Sequence, residues 1–295
     1  MPIEPLPTGL PIIPPRATDS HKGTFGRALL VGGSVGMPGS ISLSGQACLK
    51  GGAGLVTLAV PDAIINTVAN FEPSYMTWAL PTDRRGHIPF HAKARLSEKL
   101  TLSDCLAVGP GLGQSTGLFH LVSYLYETFT KPMIIDADGL NLLAKRNVPL
   151  VGHAGPRVVT PHLGEFRRLV GKPHLAMQDA RTMAVELAKG QQVVVVLKGP
   201  QTLVTDGQRT WHNTTGNPGL ATGGTGDVLT GLITALLAQS LDVYEAAVLA
   251  VFLHGLAADL AIQETTQAGL TASDLLSFIE EAWRDYQSRC DPSTT

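Results

Sequence analysis

The sequence predicts a single-domain, three-layer α/β/α fold with a mostly parallel central sheet. The 295 residues are 44% hydrophobic and 16% charged, which is enough apolar content to bury one sizeable core. Short apolar, largely β-branched runs alternate with helical segments, as in parallel sheets covered on both faces. The 32 glycines gather where the apolar runs end, which is where ligand loops lie in α/β proteins.

Six short apolar runs are expected to form the parallel strands, each followed by a polar or glycine-rich turn. They span residues 28–31, 55–60, 105–108, 133–135, 158–160 and 193–197. Residues 202–204 and 210–212 flank Asp206-Gly207 and are expected to pair as a β-hairpin. Helices are expected over 40–50, 227–239, 243–262 and 272–286, and a further one opens at Pro61-Asp62.

The two ends of the sequence depart from this pattern. Residues 1–22 form a Pro-rich arm that either lies extended, on the protein or on a neighbouring subunit, or is a flexible leader. No linker divides residues 23–286, which we expect to be one domain, and residues 287–295 form a polar tail. Because ligands bind beyond the carboxyl ends of strands in an open parallel sheet, the polar loops are expected to form a single site.

Composition and charge exclude several functional classes. The 22 basic residues against 24 acidic ones give a net charge of −2, so no basic excess favours nucleic-acid binding. Cys48, Cys105 and Cys290 are far apart, which argues against a disulfide framework or a cysteine-based zinc site. We expect no membrane span, because no stretch of about 18 residues lacks polar groups, and no signal peptide. A soluble cytoplasmic protein is expected.

The most specific segment is residues 217–227, Asn-Pro-Gly-Leu-Ala-Thr-Gly-Gly-Thr-Gly-Asp, which runs into an apolar helix. Gly223, Gly224 and Gly226 let backbone N–H groups face a phosphate at the helix N-terminus, and Thr225 adds a hydroxyl donor. Asp227 would repel a phosphate that was only bound there. It suits removal of a proton from an acceptor hydroxyl as a phosphoryl group arrives. The helix N-terminus is expected to keep this carboxylate ionised and weakly basic.

Other interpretations of these loops are less favourable. An N-cap aspartate after a flexible loop explains Gly-Thr-Gly-Asp alone but not the whole eleven-residue run. The sequence contains no G-x-x-x-x-G-K-[ST], which excludes a P-loop NTPase. Residues 109–113, Gly-Pro-Gly-Leu-Gly, miss the spacing of the dinucleotide-binding fingerprint, so a Rossmann dehydrogenase is disfavoured.

The Gly-Gly-Thr-Gly-Asp run resembles the anion hole of ribokinase-like kinases. The wider set of motifs resembles one branch of them, the ADP-dependent NAD(P)H-hydrate dehydratases, in its stand-alone form without an epimerase domain. The matching motifs, in the family's order, are Lys-Gly-Thr-Phe-Gly at 22–26, Val-Gly-Gly-Ser at 31–34, Gly-Gly-Ala-Gly-Leu-Val at 51–56, Val-Gly-Pro-Gly-Leu-Gly at 108–113, Asp-Ala-Asp-Gly-Leu-Asn at 136–141, Thr-Pro-His-Leu-Gly-Glu-Phe at 160–166 and Leu-Lys-Gly at 197–199. The resemblance covers about residues 22 to 285.

The resemblance implies a cofactor-repair activity. The S epimer of NADH or NADPH hydrate would be phosphorylated on its ring hydroxyl and would then lose phosphate, while ADP becomes AMP. The residues do not choose between ADP and ATP, and the resemblance favours ADP. It also implies Mg²⁺, a homo-oligomer with a tetramer as one form, and an NAD(P)H-hydrate epimerase as metabolic partner.

The resemblance also assigns roles to residues. Asp227 would be catalytic, and residues 223–226 would form the anion hole. The implied nucleotide-binding residues are Lys198, Gly199, Pro200, Gln201, Thr202, Asn217 and Gly226, and the implied hydrate-binding residues are Ser40, Gly111, His162 and Asp227. Asn141 and Glu165 are candidates for holding Mg²⁺ through water.

Several alternatives remain open at this stage. Lys198 could be a surface lysine in a turn, His162 a structural hydrogen-bond partner, and Asp138 a helix cap, while Asp136 could hold a metal ion or a ribose hydroxyl. A ribokinase-like kinase of a small hydroxylated vitamin precursor would use the same anion hole and release a stable ester. A non-catalytic nucleotide sensor would have no need of Asp227.

Overall fold

The computed structural model describes residues 6–146 and 150–290. In chain order its strands are β1 (Arg27–Val31), β2 (Leu55–Pro61), β3 (Met76–Leu80), β4 (Cys105–Val108), β5 (Met133–Ile135), β6 (Arg157–Val159), β7 (Val194–Leu197), β8 (Leu203–Thr205) and β9 (Thr210–His212). Its α-helices are α1 (Pro38–Lys50), α2 (Ile65–Ala69), α3 (Lys93–Leu102), α4 (Thr116–Thr128), α5 (Ala137–Ala144), α6 (Leu163–Leu169), α7 (Met177–Gln191), α8 (Thr225–Ala238), α9 (Val243–Ala261) and α10 (Ala272–Cys290).

The strands form one sheet in the order β3-β2-β1-β4-β5-β6-β7-β8-β9. The first seven in that order are parallel, and β8 and β9 add an antiparallel hairpin at one edge. The strand order reverses between β1 and β4, and in open α/β sheets the ligand crevice lies beyond the carboxyl ends of the strands at such a reversal. This confirms the predicted mostly parallel sheet and the hairpin.

Both faces of the sheet are buried. Along β1, Ala28 and Leu30 point into a core shared with α1, α8, α9 and α10, whereas Leu29 and Val31 point into a second core shared with α3 to α7. The alternation follows from the two-residue period of a strand. Fully burying each of these leucines contributes about 1.5–3 kcal/mol to the stability of the fold. The two cores therefore hold β1 firmly in place, and with it the loop that follows its end.

The sequence did not predict β3, which lies at the sheet edge next to β2. Its residues, Met-Thr-Trp-Ala-Leu, are mostly half-buried and contain only one β-branched side chain, so they give no clear strand signal. At the other end of the chain, α10 continues four residues beyond the predicted end at 286.

The described part of the N-terminal arm lies on the protein's own surface. The Tyr286 hydroxyl on α10 accepts a hydrogen bond from the Ile13 N–H at 3.0 Å and donates to the Pro11 carbonyl at 2.6 Å. Arg16 donates to the Gly52 carbonyl at 2.6 Å and stacks over the Phe25 ring. These contacts favour the bound arm over the flexible leader. Residues 1–5 of the arm and 291–295 of the predicted tail lie outside the described residues.

Helix α9 is long and apolar enough to span a membrane by length and composition alone. In the fold, 78% of its most apolar window is buried, between α8, α10 and the sheet. Its hydropathy is therefore explained by its position inside the core.

Candidate functional site

One wall of the crevice between β1 and β4 is built by glycines and the first turn of α1. Gly111 has φ +60°, which side chains rarely adopt, and a Cβ there would lie 2.7 Å from the Met37 carbonyl oxygen and 2.9 Å from Ser40 Cβ. The Ser34 hydroxyl donates to the Gly111 carbonyl at 2.8 Å and fixes the loop. The close approach of the two loops therefore requires glycine at 111.

The opposite wall is the loop that opens α8. Gly224 has φ +93° and precedes the helix, so the N–H groups of its first turn have no partner within the helix. From the sequence, the Thr225 hydroxyl was expected to donate to a bound phosphate. It is buried instead and donates to the carbonyls of Leu220 at 2.9 Å and Thr222 at 3.1 Å. Thr225 thus closes the loop, and the backbone donors of residues 223–226 remain to face an anion.

His254 on α9 supports this loop from inside the core. Its Nε2 lies 2.9 Å from the Thr225 carbonyl oxygen, and the side chain is buried. Burial lowers the pKa of His254 to about 4, although the hydrogen bond to Thr225 opposes the shift. The ring is therefore neutral at pH 7 and donates from Nε2. The sequence offered only one sign of this role, a polar residue within an apolar helix.

Asp227 lies in the first turn of α8 and is half-buried between the two walls. Burial and the nearby Asp136 carboxylate raise its pKa to about 7, while a hydrogen bond from Ser40 and the charge of Lys198 lower it. The expectation of a weakly basic, always ionised carboxylate was wrong. The helix N-terminus favours the anion, but the loss of water around the carboxyl and a second carboxylate outweigh it.

Asp136, at the end of β5, is the centre of a buried polar cluster. Its carboxylate accepts hydrogen bonds of 2.8 Å from Lys198 Nζ, Thr160 Oγ1 and Thr230 Oγ1, and the residue is 1% exposed. Burial alone would raise the pKa of Asp136, but Lys198 and the two hydroxyls hold it below its usual value. The carboxylate oxygens are all engaged, so Asp136 does not suit the metal-binding or ribose-binding roles left open from the sequence.

Lys198 is not an isolated surface lysine. Besides Asp136, its Nζ lies 3.8 Å from Glu165 Oε2, and a Cβ added to Gly226 would be 3.2 Å from it. Burial lowers the pKa of Lys198, but the two carboxylates outweigh it and the net shift is upward. The structure therefore places a permanent positive charge beside the last glycine of the α8 loop.

His162 begins α6 and forms a capping box with Glu165. Its Nδ1 accepts hydrogen bonds from the N–H groups of Gly164 at 2.9 Å and Glu165 at 3.3 Å, while Glu165 Oε2 accepts from the His162 N–H. Burial lowers the pKa of His162 despite the neighbouring Glu165 carboxylate. The ring is thus a structural hydrogen-bond partner, but its side chain stays 53% exposed and can also contact a ligand.

The remaining residues assigned to the nucleotide lie in two loops. In the β7–β8 turn, Gln201 has φ +53° and Thr202 Oγ1 donates to the Gly199 carbonyl at 3.1 Å, while Arg181 on α7 holds the Pro200 carbonyl at 2.7 Å. Asn217 accepts from the Gly219 N–H and donates to Asp259 Oδ1 on α9 at 2.9 Å. The side chain of Asn217 therefore fixes the start of the glycine loop.

The magnesium candidates have their oxygens engaged elsewhere. Asn141 Oδ1 accepts from Arg168 at 2.8 Å, and the Glu165 carboxylate is held by His162 and Lys198. Within residues 6–146 and 150–290, no group of three His, Cys, Asp or Glu side chains could hold a metal ion. These residues do not fit a directly coordinated Mg²⁺. Asp138 does not cap the helix as proposed but accepts from the Gly113 N–H at 2.9 Å.

The site therefore combines an anion-binding helix N-terminus, a carboxyl group that can exchange a proton near neutral pH, and a crevice at the reversal of strand order. Ser40, Gly111 and Asp227 are brought together by contact, and so are Lys198 and Gly226. A phosphoryl group held by the loop and a hydroxyl held near Asp227 would lie on adjoining walls. That arrangement suits phosphoryl transfer to a hydroxyl.

Several known proteins resemble this chain over most of its length. Residues 28–281 match the family model described as NAD(P)H-hydrate dehydratase. The chain is 42% identical over 282 residues to the bifunctional NAD(P)H-hydrate repair enzyme of Moorella thermoacetica, covering 95% of this chain and 53% of that protein. The chain spans about half the length of such bifunctional relatives.

Two comparisons involve a relative of similar length. The chain is 37% identical over 278 residues to the ADP-dependent (S)-NAD(P)H-hydrate dehydratase of Bacillus subtilis, covering 93% of this chain and 95% of that one. The crystal structure of the B. subtilis ADP/ATP-dependent NAD(P)H-hydrate dehydratase, co-crystallised with ATP and Mg²⁺, superposes with a TM-score of 0.79 at 33% identity, covering 93% and 94% of the two chains. The ribokinase-like fold expected from the sequence is thereby confirmed. The chain belongs to the NAD(P)H-hydrate dehydratase family.

Proposed function

We propose that the chain catalyses the nucleotide-dependent dehydration of the S epimer of NADH or NADPH hydrate, restoring the reduced cofactor. One observation carries the proposal: Asp227, with its pKa near 7, lies between the α8 anion loop and the wall formed by Ser40 and Gly111. A carboxyl poised near the working pH is an efficient proton acceptor. Family membership supports the ring hydroxyl of the hydrate as the group from which Asp227 accepts the proton.

The reaction proceeds in two stages at this site. Asp227 accepts the proton of the ring hydroxyl as the terminal phosphoryl group of ADP moves to that oxygen, and AMP leaves. The N–H groups of residues 223–226 and the charge of Lys198 stabilise the transferring phosphoryl. The C–O bond then breaks, and phosphate departs as the ring nitrogen supplies its electron pair. Loss of a ring proton restores the dihydronicotinamide, so the hydrate and ADP become NAD(P)H, AMP and phosphate.

The residues divide between the two ligands. Ser40, Gly111 and Asp227 are proposed to contact the hydrate because they lie together at the reversal of strand order, and His162 is proposed to contact it because its half-exposed ring lies beside Lys198. Residues 198–202, with Asn217 and Gly226, are proposed to line the nucleotide site beside the anion loop. Residues 23–286 are proposed as the catalytic unit, because they contain every proposed site residue, while the described arm is held against α10.

The remaining proposals rest on chemistry and on relatives. ADP is the proposed co-substrate, with ATP as the alternative, because the Bacillus subtilis relative is named ADP-dependent and the B. subtilis crystal structure was obtained with ATP and Mg²⁺. Mg²⁺ would arrive on the nucleotide phosphates, its usual mode of binding. The bifunctional relatives support an epimerase as metabolic partner. The resemblance supports a homo-oligomer, and three free cysteines suit a reducing cytoplasm.

The first test follows the return of dihydronicotinamide absorbance. Purified protein is incubated with NADPH hydrate and Mg²⁺, with ADP, with ATP, or without nucleotide. Recovery that requires nucleotide is expected, and the faster reaction identifies the co-substrate. Recovery without nucleotide would refute the phosphorylation step. Nucleotide binding without recovery would favour a small-molecule kinase.

The Asp227→Asn variant tests the proton acceptor. We expect turnover to fall by about 10²–10⁴-fold, the usual contribution of a general base, while nucleotide affinity is retained. Asp179→Asn is the matched control, because Asp179 also lies in the first turn of a helix, α7, but is exposed. Unchanged turnover in Asp227→Asn would remove this residue from the mechanism.

A further inference from the structure

A groove of about 610 Å³ lies between α5, α6 and the loop that follows β4. It is lined by Gln114, Asn141, Ala144, Lys145 and Arg168. None of these described lining residues is acidic, and two are cations. The groove is thus a positively charged surface on a chain whose net charge is −2.

The two cations are held by neutral groups. Lys145 Nζ donates to Gln114 Oε1 at 2.7 Å, and Arg168 Nε donates to Asn141 Oδ1 at 2.8 Å. Within the described parts of the chain, neither cation forms an ion pair with a carboxylate. Their charges are therefore oriented by hydrogen bonds without being neutralised, and both remain exposed to a ligand.

A single carboxylate behind the groove sets this orientation. Asp138 Oδ1 accepts from Gln114 Nε2 at 3.2 Å and from Asn141 Nδ2 at 3.4 Å. Each amide group therefore turns its NH₂ towards Asp138 and its oxygen towards the cation. Asp138 is itself fixed by the Gly113 N–H at 2.9 Å, which ties the groove to the loop containing Gly111.

The groove adjoins the proposed hydrate site. A Cβ added to Gly164 would lie 2.9 Å from the His162 ring and 4.0 Å from Arg168 Nη1. Arg168 therefore lies close to His162, and its charge lowers the pKa of that ring. The loop through Gly111 and Gly113 runs from the crevice to Gln114.

We propose that Lys145 and Arg168 bind a phosphate of the hydrated dinucleotide while its ring lies near Asp227. This inference rests on the proposed function for the identity of its ligand. Cations flanking a groove suit a phosphate dianion or a diphosphate. A hydrated dinucleotide offers the bridging diphosphate in both forms and the 2′-phosphate in NADPH hydrate alone.

Kinetics with both hydrates distinguish these two sources. Lys145→Gln, Arg168→Gln and the double variant are assayed at saturating ADP, with NADPH hydrate and with NADH hydrate. We expect the KM for NADPH hydrate to rise about tenfold in each single variant and more in the double one, while kcat changes little. A KM rise confined to NADPH hydrate assigns the 2′-phosphate, and a rise with both hydrates assigns the diphosphate.

Two further measurements make the test specific. Lys172→Gln is the matched control, since Lys172 is exposed just beyond the far end of α6 and its substitution should leave both KM values unchanged. The KM of the wild type should rise with salt more steeply than that of the double variant, because salt screens the two positive charges that the double variant lacks. Wild-type KM values in both single variants, or a rise confined to the KM for ADP, would overturn the inference. Absence of turnover in the wild type would instead count against the proposed function.

Discussion

Replacing Asp136 with asparagine removes a buried negative charge but keeps the size of the side chain. The change affects two partners. Lys198 loses its 2.8 Å ion pair and keeps only Glu165, 3.8 Å away. Asp227 loses the carboxylate that, after burial, does most to raise its pKa. Asp136→Asn therefore tests whether this cluster sets the basicity of the proposed proton acceptor.

The magnitudes follow from these contacts. An opposite charge within about 4–6 Å shifts a carboxyl pKa by about 1–3 units; we take a like charge to act with similar strength in the other direction and, because burial is the larger cause here, use the lower end, about one unit. Lys198 is then free to attract Asp227, which lowers the pKa of Asp227 further. Breaking a buried ion pair costs about 3–5 kcal/mol when the other charge is left alone. Glu165 remains, so the expected loss of unfolding free energy is about 2 kcal/mol.

The assay is the pH dependence of kcat/KM for hydrate dehydration. Asp227 must be deprotonated to accept a proton, so activity should fall below pH about 7 in the wild type. In Asp136→Asn this acid limb should move to lower pH by about one unit. Urea unfolding, measured in parallel, gives the stability cost separately.

Thr230→Val is the matched control for Asp136→Asn. It removes the 2.8 Å hydrogen bond to Asp136 Oδ2 but keeps the charge. We expect the free energy of unfolding to fall by about 1 kcal/mol, while the acid limb of the pH profile stays in place. If the acid limb is unmoved in Asp136→Asn, or moves to higher pH, Asp136 does not tune Asp227.

Two further predictions test the walls of the site. Gly111→Ala should raise the KM for the hydrate about tenfold in steady-state assays and lower the melting temperature. The reason is that φ +60° costs alanine about 1–2 kcal/mol and that its Cβ would clash with Met37 and Ser40. An unchanged KM would show that Gly111 does not lie against the hydrate. Burial lowers the pKa of His254 from 6.5 to about 4, so its contribution to stability is complete above about pH 6.5 and falls by about 3 kcal/mol as the pH decreases to 4. Denaturant unfolding of His254→Gln should lack that part of the pH dependence, and an unchanged pH dependence would contradict the assigned pKa.

The sequence predicted the parts of the fold that depend on local pattern. Residues 105–108 and 133–135 coincide with β4 and β5, because short apolar runs that end in turn residues are typical of buried parallel strands. The edge strand β3 was missed, since its half-buried residues show neither a continuous apolar run nor a clear alternation. The buried central strands were thus easier to predict than this half-buried edge strand.

The site was predicted unevenly for a related reason. The α8 loop is contiguous in sequence, so its glycines and Asp227 could be recognised directly. Asp136 and Lys198 are 62 positions apart in the sequence. They meet near Asp227 only because β5, β6 and β7 are consecutive strands in the sheet. The pKa of Asp227 depends on that packing and on burial, neither of which a local motif contains. The same holds for His254, whose partner is 29 positions away.

The contact between Tyr286 and the N-terminal arm has a practical consequence. It ties Pro11 and Ile13 to the last turns of α10. Arg16 then holds the arm to Gly52, at the edge of the sheet where the strands begin, whereas Asp227 lies at the edge where they end. A fluorescent label on this part of the arm would therefore lie away from Asp227, where both substrates are proposed to react.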